Sequence, residues 1–133
     1  MNSKETLREL TRAELQIMQI LWDKGPSFVS DIIECIDEPK PAYNTVSTIV
    51  RILEKKGFVS YKVFGKSHRY HPLLSREDYT SGYMNHVLNN FFENSVSHMV
   101  SFFAEKEKIS LQEMDKIMNI LKESTEKNKN KSS

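Results

Sequence analysis

Apolar residues recur at helical spacing in three segments near the start of the chain. The first segment opens with a T-x-x-E capping box at Thr11 and is stopped by Gly-Pro at residues 25–26. The second covers about residues 30–36 and starts at a serine that we expect to cap it. The third is PAYNTVSTIVRILEKKG, residues 41–57, where Gly57 supplies the left-handed position that commonly closes a helix. These patterns predict three helices.

The hydrophobic period changes after the third helix. The stretch FVSYKVF is rich in aromatic and β-branched residues, and SHRYH follows it across Gly65 and Lys66. Two extended runs joined by a two-residue turn that begins with glycine predict a β-hairpin. Three helices followed by a hairpin is the element order of a winged helix-turn-helix domain, which we place at residues 8–74. Other three-helix cores are the alternative, but they lack a long hairpin directly after the third helix.

From Ser75 the pattern is helical again, so the predicted fold class is mostly α with one small β-hairpin. The apolar stripes on these later helices are more than one neighbour can cover, and the segment is short for a core of its own. We therefore expect residues 75–124 to be a helical dimerisation domain; packing onto the first domain is the alternative. Residues 125–133 are polar and predict a disordered tail. The predicted dimer contacts are Tyr83, Val87, Leu88, Phe91, Phe92, Val96, Met99, Val100, Phe103, Met114, Ile117 and Leu121.

On a helical wheel the third helix has two distinct faces. Its apolar residues fall within about 100° of one another and predict the core-facing side: Val46, Ile49, Val50 and Leu53. The opposite side carries small polar and basic residues, which suit close approach to the major groove; there Asn can pair with adenine, and Arg with guanine or a phosphate. With the helix start and the hairpin included, the candidate DNA-binding residues are Tyr43, Asn44, Thr45, Ser47, Thr48, Arg51, Lys55, Lys66 and Arg69.

Charge is unevenly distributed along the chain. The 133 residues are 38% hydrophobic and 28% charged and have a net charge of +1. Residues 40–74 nevertheless hold seven Lys or Arg and a single acid, whereas residues 1–39 have a net charge of −4 and residues 75–133 of −1. A local basic block is typical of a surface that binds a polyanion such as DNA, although a solvated basic face is the alternative. Tyr43 and Lys55 also fit structural roles, as a hydrophobic staple and near the negative end of the helix dipole.

Other classes of protein find little support in the sequence. No run of about 18 apolar residues exists and the N-terminus has no apolar signal core, so we expect a cytoplasmic protein that does not insert into membranes. No phosphate-binding loop, zinc-protease motif or nucleophile elbow is present, so we expect no catalytic residue, metal or cofactor. Cys35 falls in an apolar phase and predicts a buried thiol. A winged helix that binds protein is the stronger rival, but protein-docking faces are generally richer in apolar anchors.

Three motifs together resemble the penicillinase and methicillin-resistance repressors (BlaI/MecI type). They are E-x-x-I-M-x-x-L-W, T-V-x-T-x-x-R-x-L-x-x-K-G and G-x-x-x-x-Y-x-P, and the resemblance covers about residues 8–123. It implies a homodimeric transcriptional repressor that binds palindromic DNA operators through Asn44, Thr45, Ser47, Thr48 and Arg51 of the third helix and Lys66 and Arg69 of the hairpin.

The resemblance also implies a route of induction linked to antibiotic resistance. In the family, a membrane metallopeptidase sensor detects a β-lactam, and the repressor is then cleaved within its dimerisation domain. The cleavage motif M-V-x-N-F falls on residues 99–103, which places the bond between Phe102 and Phe103, with Phe102 standing where the motif has asparagine. A DNA-binding regulator with a different inducing signal is the alternative. Copper sensing is not expected, because the cysteine cluster of copper-responsive relatives is missing from the chain.

Overall fold

A computed structural model describes residues 9–106 and 109–132, with side chains up to residue 124. It confirms the predicted fold class. The chain divides into two units, one ending at His86 and the other starting at Val87. The elements, in chain order, are α1 (Arg12–Lys24), α2 (Val29–Glu34), α3 (Tyr43–Lys55), β1 (Val59–Phe64), β2 (Ser67–Pro72), α4 (Arg76–Phe91), α5 (Val96–Lys106) and α6 (Leu111–Ser132).

Helix starts follow the capping residues in most cases. At α1 the backbone N–H of Thr11 donates to Oε1 of Glu14 (2.9 Å), and the N–H of Glu14 donates back to Oγ1 of Thr11 (3.2 Å). At the starts of α4 and α6, Oγ of Ser75 and Ser110 accepts from the backbone N–H of Asp78 and Glu113, respectively. Helix α2 differs from the prediction, because it begins at Val29, one residue before the expected cap. There the carboxylate of Asp31 accepts from the backbone N–H of Phe28 (3.0 Å).

The core of the first unit lies where α1, α2, α3 and the hairpin meet. Three of the four residues predicted to face inward from α3 are at most 1% exposed, and Ile49 is half-buried against them. Burial of this apolar surface is the main driving force for the packing of the three helices. The other residues with less than 2% exposure include Met18, Leu21, Ile32 and Val59.

The hairpin is tied to the segment that precedes α2. Strands β1 and β2 pair antiparallel from Val59 opposite Pro72 to Phe64 opposite Ser67, and Gly65 takes a φ of +62° in the turn between them. Ser27 and Tyr70 exchange two backbone hydrogen bonds, of 2.8 and 2.7 Å. This bridge fixes the hairpin beside the helices of the first unit, as a wing.

The first turns of α4 belong to the first unit. The hydroxyl of Tyr79, which is buried, accepts from the backbone N–H of Leu10 (3.0 Å), and Tyr83 packs against the same core. Trp22 Nε1 donates to the carbonyl of Leu74 (2.8 Å). The boundary between the units therefore lies within α4 and not at residue 75, where the apolar stripes predicted it. Tyr83, predicted as a dimer contact, has neighbours within its own unit.

Two local expectations fail near helix ends. Cys35 is exposed and not buried: it caps the C-terminal end of α2, whose buried residues are Val29 and Ile32. Helix α6 continues to Ser132, through the residues predicted to be a disordered tail. No proline or glycine interrupts that stretch.

Candidate nucleic-acid interface

The outward side of α3 carries the predicted contact residues at its N-terminal half. Asn44, Thr45 and Thr48 are exposed, and Arg51 and Lys55 follow them along the helix, also exposed. Tyr43 at the first position is 59% exposed, which excludes the staple-like burial that was its structural alternative. Three short side chains next to one another leave the helix surface open to close approach. That arrangement can accept hydrogen bonds from, and donate them to, base edges in a major groove.

Ser47 behaves differently from its neighbours. This residue is only 7% exposed, although the sequence analysis included it among the candidate DNA-binding residues. Its Oγ accepts a hydrogen bond from Nη2 of Arg51, one turn later on the same helix (3.1 Å). Ser47 thus holds the guanidinium of Arg51 and does not present its hydroxyl on the outward face.

One face of the hairpin is basic. Lys62 lies directly opposite Arg69 in the strand pairing, and side chains paired in this way share a face. The guanidinium of Arg69 lies 5.9 Å from the centre of the exposed Phe64 ring on the same face. Lys66 is exposed in the turn. Sequence reasoning missed Lys62, and the alternation of residues across the two strands is the signal that would have found it.

The other face of the hairpin is aromatic. The rings of Tyr61 and His68 stack with centroids 4.1 Å apart and an angle of 8°, and Tyr70 lies beside both. Burial, followed by the nearby carboxylate of Glu54, raises the pKa of Tyr70, so its phenol stays neutral. His68 and His71 point to opposite faces, and no group of three His, Cys, Asp or Glu in the described ranges is arranged to hold a metal ion.

A crevice of about 200 Å³ separates α3 from the hairpin. Tyr43, Ser47 and Arg51 line it from the helix. From the hairpin it is lined by Lys66, Ser67, His68 and Tyr70, and Val29 of α2 closes it.

Two lysines of the basic block make contacts within the protein. Lys40 Nζ donates to the backbone carbonyls of Ile33, Glu34 and Ile36 (3.2, 3.3 and 2.6 Å), the last acceptors of α2 and the turn after it. This contact satisfies carbonyls that a helix end leaves without partners. Lys40 remains exposed, so these contacts orient its ammonium without removing its charge.

Lys56 bridges α3 to α1. Its Nζ lies 2.9 Å from both carboxylate oxygens of Glu14, a residue that is only 5% exposed. Burial alone would raise the pKa of Glu14, but hydrogen bonds from the N–H of Thr11 and from Lys56, with the charge of Lys56, hold it below its ordinary value. The exposed cations of the block are Lys40, Arg51, Lys55, Lys62, Lys66 and Arg69.

None of the predicted dimer contacts of the second unit is fully buried. Phe102 and Phe103, at the predicted cleavage position, lie in the middle of α5 and are each 43% exposed. Val87, Leu88, Phe92, Met99, Val100 and Ile117 are half-buried. The exposed members are Phe91, Val96, Phe103, Met114 and Leu121.

None of the helices in the part of the chain that the structure covers is both long enough and apolar enough to cross a bilayer.

Comparison with known proteins agrees with this geometry. Residues 10–123 match the Penicillinase repressor family. The Methicillin resistance regulatory protein MecI of Staphylococcus aureus (strain N315) is 31% identical over 114 residues, which are 85% of this chain and 93% of that protein. The Penicillinase repressor of Bacillus licheniformis is 26% identical over 116 residues, 86% and 91% of the two chains. The Transcriptional regulator BlaI of Mycobacterium tuberculosis (strain CDC 1551 / Oshkosh) is 29% identical over 119 residues, 88% and 86%.

Proposed function

The chain belongs to the penicillinase repressor family, a family of transcriptional repressors and not of enzymes, and on this basis we propose that it acts as a homodimer on palindromic operators in double-stranded DNA. The observation that carries this proposal is the exposed stripe of Asn44, Thr45 and Thr48 on α3, directly opposite buried Val46 and Val50. A helix whose core side is fixed in this way offers its short polar side chains to the major groove.

The second unit supports the dimer. Its helices expose large apolar side chains, among them Phe91 at 71% and Val96 at 52%. A second copy of the chain would cover such surfaces through a two-fold axis. The dimer would hold two copies of α3 about 34 Å apart, the spacing of successive major grooves on one side of the duplex.

Binding should weaken steeply as salt rises. Helix α3 and the hairpin expose Arg51, Lys55, Lys62, Lys66 and Arg69 in each protomer. Six to ten phosphate contacts in the dimer would correspond to about a 10³–10⁵-fold loss of affinity between 50 and 200 mM salt. The test uses a duplex selected by the protein from a random pool, with its dissociation constant followed by fluorescence anisotropy over a series of KCl concentrations. If no duplex is preferred over the pool, or if salt leaves the affinity unchanged, the proposal is wrong.

A pair of lysine variants locates the contact surface. Lys66→Ala removes an exposed lysine at the tip of the hairpin, and Lys24→Ala removes an exposed lysine at the end of α1. Both change the net charge equally, but only the first should lower the salt dependence, by about 0.9 for each phosphate that the variant no longer neutralises. Equal effects would mean that general charge, and not the wing, accounts for the binding.

We further propose that this repressor is induced by the route that the family resemblance implies. The repressor would be cleaved between Phe102 and Phe103 after a membrane metallopeptidase sensor detects a β-lactam, which would make the cytoplasmic repressor a regulator of antibiotic resistance. The names of the relatives support this role. Since Phe102 stands where the motif has asparagine, a different inducing signal is the second candidate. Mass spectrometry of the repressor from β-lactam-treated cells separates the two: a fragment ending at Phe102 supports cleavage, and an intact derepressed chain supports the other signal.

A further inference from the structure

The crevice between α3 and the hairpin has the features of an anion site. It brings two cationic side chains from different elements, Arg51 and Lys66, to opposite walls. Tyr43, Ser67 and His68, whose side chains can donate hydrogen bonds, line the same crevice. None of the described residues that line it is acidic. Cations and neutral donors facing one another across a gap of this kind attract a small anion.

Arg51 is held toward this crevice by a buried partner. The Oγ of Ser47, more than nine-tenths buried, accepts from Nη2 of Arg51 at 3.1 Å, and both residues line the same gap. Because the guanidinium is hydrogen-bonded to a side chain one turn earlier on the same helix, it does not extend toward base edges at the floor of a major groove. Its remaining N–H groups are available to an acceptor in the crevice, because the planar guanidinium carries five donors.

The chemistry on both walls matches a phosphodiester better than a base edge. A phosphodiester has one negative charge and two non-bridging oxygens, which a guanidinium can bind in bidentate fashion while an ammonium approaches from the other side. A base edge is uncharged and lies in one plane, so it would leave one of the two cations without a partner. A crevice of about 200 Å³ has room for one phosphate group.

We propose that this crevice binds one phosphodiester of the DNA backbone in each half-site, with Arg51 and Lys66 as its two cations and Ser47 as the residue that positions Arg51. The assignment rests on the proposed DNA-binding function and deepens it. Arg51 then fixes the register of the protein on the duplex, and base recognition falls to Asn44, Thr45 and Thr48. Guanine recognition by Arg51, which the sequence left open, is replaced by a phosphate contact.

Binding measurements on the full-length protein test the role of Arg51. Two duplexes of equal length are used, one selected by the wild-type protein and one of random sequence. Arg51→Ala should weaken binding by the same factor on both and lower the slope of log K against log salt by about 0.9 per half-site. Arg51→Lys should retain the slope. Asn44→Ala is the contrasting variant and should weaken binding to the selected duplex alone. If Arg51→Ala acts only on the selected duplex and leaves the slope unchanged, Arg51 reads a base and the assignment is wrong.

Neutral backbone linkages locate the phosphate itself. Selected duplexes that each carry one methylphosphonate should reveal a position in each half-site where the wild-type protein loses more affinity than Arg51→Ala, which retains only Lys66 at that phosphate. A scan in which both proteins respond alike at every position overturns the assignment while the proposed function stands. A wild-type protein that binds no duplex overturns the proposed function as well.

A double-mutant cycle tests the positioning role of Ser47. Ser47→Ala should weaken binding in the wild-type background, and the effect should vanish in the Arg51→Ala background, because nothing then remains to be positioned. Thermal unfolding of each variant checks that the fold is retained, and Ser47→Cys is a second variant of similar size if the alanine variant unfolds. Additive effects of the two substitutions would show that Ser47 acts independently of Arg51.

Discussion

The two units of this chain use their apolar residues in opposite ways. In the first unit Met18, Leu21 and Leu53 have no measurable exposure, and even the polar Ser27 is fully buried. In the second unit Leu111 is 83% exposed and Phe91 71% exposed. The first unit completes its core from its own helices and hairpin. The second unit also carries many large apolar side chains, but it buries none of them fully within the described chain.

The contrast indicates where the stability of each unit originates. A unit whose core is closed within one chain unfolds with a free energy that does not depend on protein concentration. A unit whose apolar side chains need a second copy gains its stability by association, so its unfolding depends on concentration. Experiments that separate these two sources of stability therefore test whether the units differ in this way.

Separating the units should have the largest effect. A fragment of residues 1–86 is expected to fold as a monomer, because the core residues and the contacts of Tyr79 lie within it. A peptide of residues 87–133 is expected to gain helix only as its concentration rises. Circular dichroism over a range of concentrations, together with analytical ultracentrifugation, measures both. A fragment 1–86 that sediments as a dimer would contradict the contrast between the units, as would a peptide whose helix content is high and independent of concentration.

A large-to-small substitution in the first core comes next. Leu53→Ala should lower the free energy of unfolding of the first unit by about 2–5 kcal/mol, the usual cost of removing a fully buried leucine side chain. Ile52→Ala is the matched control, since its side chain is adjacent in sequence but 40% exposed, and it should cost less than about 1 kcal/mol. Urea denaturation of the 1–86 fragment measures both. Similar losses would mean that the core is not concentrated on the inner side of α3.

Whether a feature could be predicted from the sequence depends on how far apart the interacting residues lie along the chain. The capping box at Thr11 and the inward face of α3 were predictable because they depend on neighbours within one or two turns. The burial of Ser47 was not, because it depends on the hairpin returning beside α3 through the bridge of Ser27 to Tyr70. On a helical wheel Ser47 lies at the edge between the apolar and polar faces of α3, and tertiary packing determines whether a residue at that edge is buried.

The ion pair between Lys56 and Glu14 could not be predicted from the sequence for the same reason. Lys56 and Glu14 lie 42 positions apart, and nothing in the local pattern connects them. Counting the basic residues of the block therefore overstated the charge available to DNA, since Lys56 pairs with the buried carboxylate of Glu14. The exposure of Asn44, Thr45 and Thr48 was predictable, because the helical period places these residues opposite the strongly apolar face of α3.

The smallest expected effect compares substitutions of two glutamates that occupy the same capping position in the two units. Glu14 and Glu113 each lie three residues after a capping Thr or Ser, but Glu14 is 5% exposed and pairs with Lys56, whereas Glu113 is exposed and lies 3.7 Å from Lys116. Glu14→Gln keeps an oxygen for the N–H of Thr11 and removes the charge. It should lower the free energy of unfolding by about 1–2 kcal/mol at pH 7, and Glu113→Gln by at most a few tenths, as for exposed pairs.

The pH dependence of the difference in stability between wild type and Glu14→Gln identifies the cause of that difference. Burial opposes the charge on Glu14, but the N–H of Thr11 and the ammonium of Lys56 outweigh it, so the pKa of Glu14 in the folded protein lies below the ordinary 4.5. A carboxyl with a lowered pKa stabilises the fold fully above pH 4.5, and this contribution is lost as the pH falls through the folded value. Urea denaturation at pH 7 and at progressively lower pH should therefore show the gap between wild type and Glu14→Gln closing in acid. A gap that stays constant would mean that the glutamine is poorly accommodated and that the ion pair with Lys56 contributes nothing.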